Sequence, residues 1–253
     1  MSTWPWLESF PLANGVRIVG IPSAFEALYA EARKKERRVL TDEQVARLPD
    51  GKGLWNAAEW RIRSKSAARL LQSLNAQGNA LRVLEVGCGN GWLSGRMAAA
   101  GHLVLGIDAF TEELEQATRV FPSVSFARAD LHSSAIPVGS FDAIVLSASI
   151  QYFDSPHAVV KRALDLLAPT GSIHILDSIL YPSEATAAAA QERTRNYYAQ
   201  LGVPALATHY HAHALGDFMP FGASVISTPR SRFMQLIIGD ATPFTHLLIR
   251  KQG

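Results

Sequence analysis

The sequence contains very little cysteine, since Cys88 is the one thiol among its 253 residues. A disulfide within the chain is therefore excluded, and this composition favours a reducing compartment, for which we predict the cytoplasm. No apolar run approaches the roughly 20 residues that a membrane-spanning helix needs. The first residues also lack the basic and apolar segments of a secretory signal, so we expect neither membrane insertion nor export.

An excess of charge of either sign is missing as well. The chain has 24 basic and 22 acidic residues, which gives a formal net charge of +2. Such a balance offers no surface suited to nucleic acid or to an anionic membrane, so we expect neither as a partner. The densest basic run lies within residues 33–38, where Glu31 and Glu36 alternate with it, and this pattern predicts a solvated helix face.

Residues 1–80 differ in pattern from the rest of the chain and predict a helical N-terminal cap segment. Thr41 and Gln44 have the spacing of a capping box, and Asn56 and Glu59 form a second plausible cap pair. Apolar residues from Trp60 onward recur at helical spacing. We expect these helices to close over the ligand of the following domain.

Residues 81–253 alternate between short apolar runs and helical stretches. This alternation predicts a Rossmann-like α/β domain with a doubly wound, mostly parallel seven-stranded sheet and an antiparallel last strand. The expected strands lie at 81–86, 102–108, 124–130, 141–149, 172–178, 223–228 and 244–251. Segment 231–240 fits either a short helix or a strand.

Three alternating glycines follow the first of these strands, at Gly87, Gly89 and Gly91. Glycine allows positive φ values and lets a ligand approach the bare backbone, and the next helix points its N-terminus at the same place. Dinucleotide enzymes use the different spacing G-x-G-x-x-G. Because Glu85 would also repel a pyrophosphate, a nicotinamide-dependent oxidoreductase is the less favoured alternative.

Acidic residues end the next two strands. Asp108 lies 21 residues after Gly87, where a carboxylate in a doubly wound sheet can bind both hydroxyls of a ribose. Asp130 follows the third strand, where it can contact an adenine edge. The order of these features, each at the carboxyl end of a strand, indicates a nucleoside site.

The segments "VLEVGCGNG", "GID" and "ARADL" resemble the successive nucleoside-binding motifs of class I S-adenosylmethionine-dependent methyltransferases. They are most similar to the small-molecule type 11, or ubiquinone-biosynthesis-like, group. The resemblance covers residues 81–178. It implies S-adenosylmethionine as cofactor, S-adenosylhomocysteine as product and in-line transfer of a methyl group to a small-molecule acceptor. The cofactor contacts that it implies are Glu85, Gly87, Cys88, Gly89, Asn90, Gly91, Asp108, Ala109, Asp130, Leu131 and Ser147.

The acceptor side is predicted from two segments. Many relatives place a His after the fourth strand, where this chain has Gln151 and Tyr152. Segments between the fifth and sixth strands commonly face the substrate in the family, which suggests Tyr210 and His211. We therefore expect Tyr152, Tyr210 and His211 to be the catalytic residues of the acceptor side.

No metal is expected at this site. His209, His211 and His213 alternate as the ligands of a strand-borne metal would, but their glycine- and proline-flanked surroundings are not strand-like. Magnesium-dependent relatives carry a carboxylate after the fourth strand, where this chain has a serine. Methyl transfer through a cysteine nucleophile is also disfavoured, because the sole cysteine lies inside the glycine loop.

The binding motifs alone leave a non-catalytic S-adenosylmethionine-binding protein as an alternative, because a loss of activity could leave them intact. They do not specify the acceptor, the methylated atom or the oligomeric state. On the cap segment, Arg61 or Arg63 is expected to pair with the methionine carboxylate of the cofactor.

Overall fold

A nine-stranded sheet forms the centre of the molecule in the computed structural model, which describes residues 4–21, 24–227 and 244–251. Two further short strands pair with each other elsewhere. In chain order the strands are β1 (Leu12–Ala13), β2 (Val16–Ile18), β3 (Arg82–Val86), β4 (Leu103–Asp108), β5 (Ser125–Arg128), β6 (Phe141–Ser147), β7 (Leu167–Ser178), β8 (Leu180–Tyr181), β9 (His213–Ala214), β10 (Ser224–Ser227) and β11 (Thr245–Arg250).

Helices cover both faces of this sheet. They are α1 (Ala24–Lys35), α2 (Asp42–Arg47), α3 (Ala57–Gln77), α4 (Trp92–Ala99), α5 (Thr111–Val120), α6 (Pro156–Leu166) and α7 (Glu184–Gln200). Val83 and Leu84 are neighbours on β3 but belong to opposite hydrophobic clusters, so this strand is buried on both sides. None of the helices in the described ranges is both long enough and apolar enough to span a bilayer.

The strand order is β1-β2-β5-β4-β3-β6-β7-β11-β10. Strands β3 to β7 run parallel, whereas β11 is antiparallel to both of its neighbours. The predicted mostly parallel sheet with an antiparallel last strand is confirmed. Because β4 and β6 lie on opposite sides of β3, the order reverses there, and ligands bind outside the carboxyl ends of strands at such a point.

The N-terminal segment is not wholly helical, which corrects the expectation for residues 1–80. Asn14 and Gly15 both have positive φ, 49° and 82°, and they turn the chain into the β1–β2 hairpin. Strand β2 then pairs with β5 in parallel and extends the sheet beyond the expected seven strands. Asn-Gly is a strong hairpin signal, so this turn could have been predicted from the sequence.

One strand boundary differs from the expectation, and one predicted segment cannot be compared with the structure. Helix α6 ends at Leu166 and β7 begins at the next residue, five residues before the expected start of that strand. The ambiguous segment 231–240 lies outside the described residues.

A buried chain of polar side chains crosses β7 and β11. Nδ1 of His174 lies 3.1 Å from Nε2 of His246, and Nε2 of His174 lies 3.2 Å from the hydroxyl of Ser172. Burial lowers the pKa of His174 to about 3 and that of His246 to about 4. Both imidazoles are therefore neutral in the folded protein at neutral pH.

The free energy of unfolding should decrease as the pH falls from about 7 to about 5, because the unfolded histidines bind protons near pH 6.5 and the buried ones do not. Replacing His246→Gln removes one of these titrations and should reduce the decrease by about 2 kcal/mol. Urea unfolding of both proteins at the two pH values measures the difference. Equal pH dependence in the two proteins would contradict the assignment.

Candidate active site

The glycine loop joins β3 to α4 in a conformation that only glycine adopts readily. Gly87, Gly89 and Gly91 all have positive φ, at 73°, 52° and 73°. A Cβ atom on Gly89 would lie 2.8 Å from Oε2 of Glu113, and one on Gly91 would lie 2.7 Å from the ring of Phe126. The three glycines are therefore required by backbone conformation and, at these two positions, by close packing as well.

Asp108, the predicted ribose ligand, connects this loop to the start of α5. Its Oδ2 accepts a hydrogen bond from the backbone N–H of Gly89, and its Oδ1 accepts one from that of Phe110, both at 2.8 Å. Burial raises the pKa of Asp108 to about 6. Each carboxylate oxygen has a second lone pair, so this arrangement still allows Asp108 to accept hydrogen bonds from a ligand.

Glu85 is buried beneath the loop. The hydroxyl of Ser94, in the first turn of α4, donates to its carboxylate. Burial raises the pKa of Glu85 to about 8, so the side chain is mostly protonated at neutral pH. A positively charged ligand group close by would shift it toward the charged form.

A cavity of about 510 Å³ connects the glycine loop with the carboxyl ends of β6 and β7. Residues of α1, α3 and α7 form its other walls. Its volume is in the range of small-molecule and cofactor sites. All six tyrosines of the chain line it, namely Tyr29, Tyr152, Tyr181, Tyr197, Tyr198 and Tyr210.

Tyr152 lies at the centre of an aromatic cluster on one side of this cavity. Its ring contacts those of Tyr29 and Tyr210 edge-on, with centroids 5.7 and 5.6 Å apart. Burial raises the pKa of both Tyr152 and Tyr210. Their hydroxyls therefore remain protonated near neutral pH and can act as hydrogen-bond donors.

An ion pair joins the N-terminal segment to α5, next to the glycine loop. Nη2 of Arg33, on α1, lies 2.7 Å from Oε1 of Glu113, on α5, and both side chains are less than one-fifth exposed. Arg38 and Arg63 form a second cluster by pairing with the same carboxylate of Glu59, at 3.1 and 2.9 Å. The prediction that residues 33–38 form a solvated face is thus wrong for Arg33 and Arg38.

Eight of the predicted site residues line the cavity. They are Glu85, Gly87, Cys88, Gly89, Asn90, Ser147, Tyr152 and Tyr210. Gly91, Asp108, Ala109, Asp130 and Leu131 lie outside its lining. Asp130 is solvent-exposed and accepts a hydrogen bond from the backbone of His132, whereas the side chain of Leu131 is in the core.

His211 is the predicted catalytic residue that the structure places elsewhere. It lines a separate surface cleft together with His213 and Asp154. The backbone N–H of His211 donates to the carbonyl of Gln151 at 2.7 Å, and its ring stacks with that of His213. Successive residues of an extended segment face opposite sides, which explains why Tyr210 reaches the cavity and His211 does not.

Metal-ligating side chains do not cluster within the part of the chain that the structure describes. The ring of His209 packs against Phe25, with centroids 5.3 Å apart, while the His211 and His213 rings stack with each other. The three alternating histidines therefore do not converge on one point.

Most residues of the cavity wall were not among the predicted site residues, and four of them bear on its chemistry: Arg33, Trp60, Glu113 and Asp177. Arg33 and Glu113 are 80 residues apart in the sequence, so no local pattern could connect them. Trp60 lines the cavity, and its buried Nε1 has no hydrogen-bond partner among the described residues. Asp177 is the last residue but one of β7 and lies at the carboxyl edge of the sheet, a position that could have indicated a site residue.

Comparison with known proteins agrees with this geometry. The model of a methyltransferase domain family, type 11, matches residues 84–175. The chain is 36% identical over 106 residues to a ubiquinone biosynthesis O-methyltransferase of Psychrobacter cryohalolentis, covering 39% of this chain and 40% of that protein. Residues 84–175 are therefore a match to a class I S-adenosylmethionine-dependent methyltransferase domain.

Further similarities support the fold of this methyltransferase domain. A 27-O-demethylrifamycin SV methyltransferase of Amycolatopsis mediterranei is 31% identical over 52% of this chain and 51% of its own length. An S-adenosylmethionine-dependent methyltransferase from Mesorhizobium loti superposes with a TM-score of 0.54 at 18% identity, over 72% of this chain and 96% of the other. The chain spans about half or less of the length of the curated relatives it matches.

Replacing Glu85→Gln should stabilise the protein near neutral pH. The buried Glu85 keeps its proton up to about pH 8 while the unfolded chain releases it near pH 4.5, so native stability declines between these values. Glutamine retains an oxygen for Ser94 and does not titrate. The variant should gain on the order of 1–3 kcal/mol at about pH 7.

Urea unfolding at about pH 5 and about pH 8 measures this gain, which should increase with pH. Glu112→Gln, at an exposed position on α5, is the matched control and should show no such increase. A Glu85→Gln variant whose stability difference from the wild type does not change with pH would show that Glu85 is ionised in the folded protein.

Proposed function

We propose that this protein transfers a methyl group from S-adenosylmethionine to a hydroxyl group of a small-molecule acceptor. The observation that carries the proposal is that one cavity joins the glycine loop of the methyltransferase domain to a tyrosine-lined chamber. The in-line displacement needs the two reactants next to each other, and a shared cavity meets that requirement. Because Cys88 is the one cysteine of the sequence and leaves no intrachain disulfide, we also propose that the reaction takes place in a reducing compartment, the cytoplasm.

The residues around the glycine loop suit the cofactor. Glu85, together with Ser147, would bind the methionine ammonium, while Asp108 would accept hydrogen bonds from the ribose. Arg63 and the unpartnered indole N–H of Trp60 line the same cavity and suit the methionine carboxylate. Ala109, Asp130 and Leu131 remain our candidates for the adenine side.

S-adenosylmethionine supplies an activated methyl group on a positively charged sulfur. A second cation within a few ångströms of that sulfur is disfavoured by Coulomb repulsion, whereas an oxygen that gains negative charge is attracted. This favours a neutral hydroxyl acceptor over an ammonium. The names of two relatives, a ubiquinone biosynthesis O-methyltransferase and a 27-O-demethylrifamycin SV methyltransferase, are consistent with transfer to oxygen.

The protein's own residues would position the acceptor and exclude water. Tyr152 and Tyr210 present protonated hydroxyls and large aromatic surfaces to the chamber. Helix α1, held by the Arg33–Glu113 pair, covers the site from the N-terminal side. Closure of this kind strengthens electrostatic interactions inside a site and protects the reacting groups from solvent.

Turnover across a metabolite pool tests the proposal. Release of S-adenosylhomocysteine, with a product heavier by one methylene unit, is the expected result. Tight binding of S-adenosylmethionine without turnover of any compound would favour the non-catalytic alternative. Calorimetric binding of NAD in place of S-adenosylmethionine would favour an oxidoreductase.

The two arginines at the start of α3 provide a matched pair of variants. Arg63 lines the cavity, whereas Arg61 is exposed in a different surface cleft. Replacing Arg63→Ala should weaken S-adenosylmethionine binding by about 1.5–3 kcal/mol, the scale of hydrogen bonds to charged groups. Arg61→Ala should leave it unchanged.

Titration calorimetry of the two variants and the wild type gives this comparison directly. Equal affinities for the Arg63→Ala variant and the wild type would show that the methionine carboxylate is bound by other residues. Thermal unfolding of each variant verifies that the loss of affinity does not reflect loss of fold.

A further inference from the structure

Asp177, the last residue but one of β7, lies at the wall of the cavity in an unusual backbone conformation. It has a φ of 56°, and Ala148, which follows the neighbouring strand β6, has a φ of 53°. The backbone N–H of Ala148 donates to the carbonyl of Leu176 at 2.9 Å, so the two strand ends turn side by side. Left-handed conformations of residues other than glycine cost free energy and concentrate at functional sites.

The carboxylate of Asp177 is buried but only partly bonded. Its Oδ2 accepts a hydrogen bond from the hydroxyl of Ser147 at 3.3 Å, while Oδ1 has no hydrogen-bond partner among the described residues. The side chain is 4% exposed. A buried carboxylate oxygen without a partner is costly, and a ligand that donates a hydrogen bond would remove that cost.

The other acidic residues of the cavity wall are already engaged. Glu113 pairs with Arg33, Glu59 pairs with Arg38 and Arg63, and Glu36 accepts from Tyr197 and contacts Arg38. Glu85 accepts from Ser94 beneath the glycine loop. Asp177 differs from these residues because one of its carboxylate oxygens is fully buried and has no hydrogen-bond partner among the described residues.

We propose that Asp177 is the general base of the methyl transfer and that the acceptor is a phenol. This inference rests on the proposed function and names its base and its substrate class. The phenolic O–H bond breaks and its proton goes to the carboxylate of Asp177. The phenolic oxygen forms a bond to the methyl carbon as the carbon–sulfur bond breaks, and that electron pair stays on sulfur in S-adenosylhomocysteine.

The residues of the cavity wall support both the phenol acceptor and the role of Asp177 as base. Six tyrosine rings offer edge and face contacts to an aromatic ring. A phenol has a pKa of about 10, like tyrosine, which is within reach of a carboxylate base in a way that an aliphatic alcohol is not. Burial raises the pKa of Asp177, and this makes the carboxylate a stronger base. Arg63 and the Ser66 hydroxyl partly oppose this rise.

Two phenols of different acidity distinguish a base from a binding residue. The probes are 4-methylphenol, which is neutral at about pH 8, and 4-nitrophenol, which is mostly ionised there. Asp177→Asn should slow methylation of 4-methylphenol by about 10²–10⁴-fold, the usual contribution of a general base. Methylation of 4-nitrophenol should slow by less than about tenfold, since its proton is already lost.

Binding measurements accompany these rates. Asp177→Asn should bind S-adenosylhomocysteine with nearly wild-type affinity by calorimetry, and its complex should still bind 4-nitrophenol. Asp154→Asn makes the same chemical change at an exposed position in the other cleft and is the control, with wild-type rates expected for both phenols. Where the Asn variant does not fold, the wild-type pH profile replaces it.

In that profile the rate with 4-methylphenol should fall with decreasing pH as Asp177 becomes protonated. Equal slowing of both phenols in Asp177→Asn, or no slowing, would overturn the role as base. A wild-type complex with S-adenosylhomocysteine that binds neither phenol would overturn the acceptor class. Failure of the wild type to bind S-adenosylmethionine would instead refute the proposed function itself.

Discussion

The Arg33–Glu113 ion pair makes the N-terminal segment part of the site. Glu113 is the first of three residues spaced by three along α5 that bind this segment, followed by Gln116, which donates to the carbonyl of Leu40, and Arg119, which pairs with Asp42. Residues three apart lie on one face of a helix. The Arg33–Glu113 pair is mostly buried, so removing one partner should lower the free energy of unfolding by about 3–5 kcal/mol, more than for the other two contacts.

This docking explains why the cavity has two chemically different ends. Near the glycine loop, charges and backbone donors surround the space, with Asp108 fixing the loop to α5. Toward the ends of β6 and β7 the walls are tyrosines and the partly bonded Asp177. A polar, charged cofactor and an aromatic acceptor would thus meet where the two environments join.

Local sequence patterns predicted the central sheet, the glycine loop and the Thr41–Gln44 capping box, because each depends on neighbouring residues. They did not predict contacts between distant segments. The expected cap at Asn56 does not form, since its side chain bonds to Glu59, which also binds two arginines. His211 was expected in the chamber, but the alternation of side chains along residues 210–213 directs it to the opposite side.

Hydrogen–deuterium exchange with and without S-adenosylhomocysteine tests most directly whether the N-terminal segment and the glycine loop form one site. The cofactor product should protect the amides of residues 24–35 and 56–63 together with those of 87–91, because all three segments line the same cavity. Protection confined to residues 87–91, with unchanged exchange in α1 and the start of α3, would contradict the account.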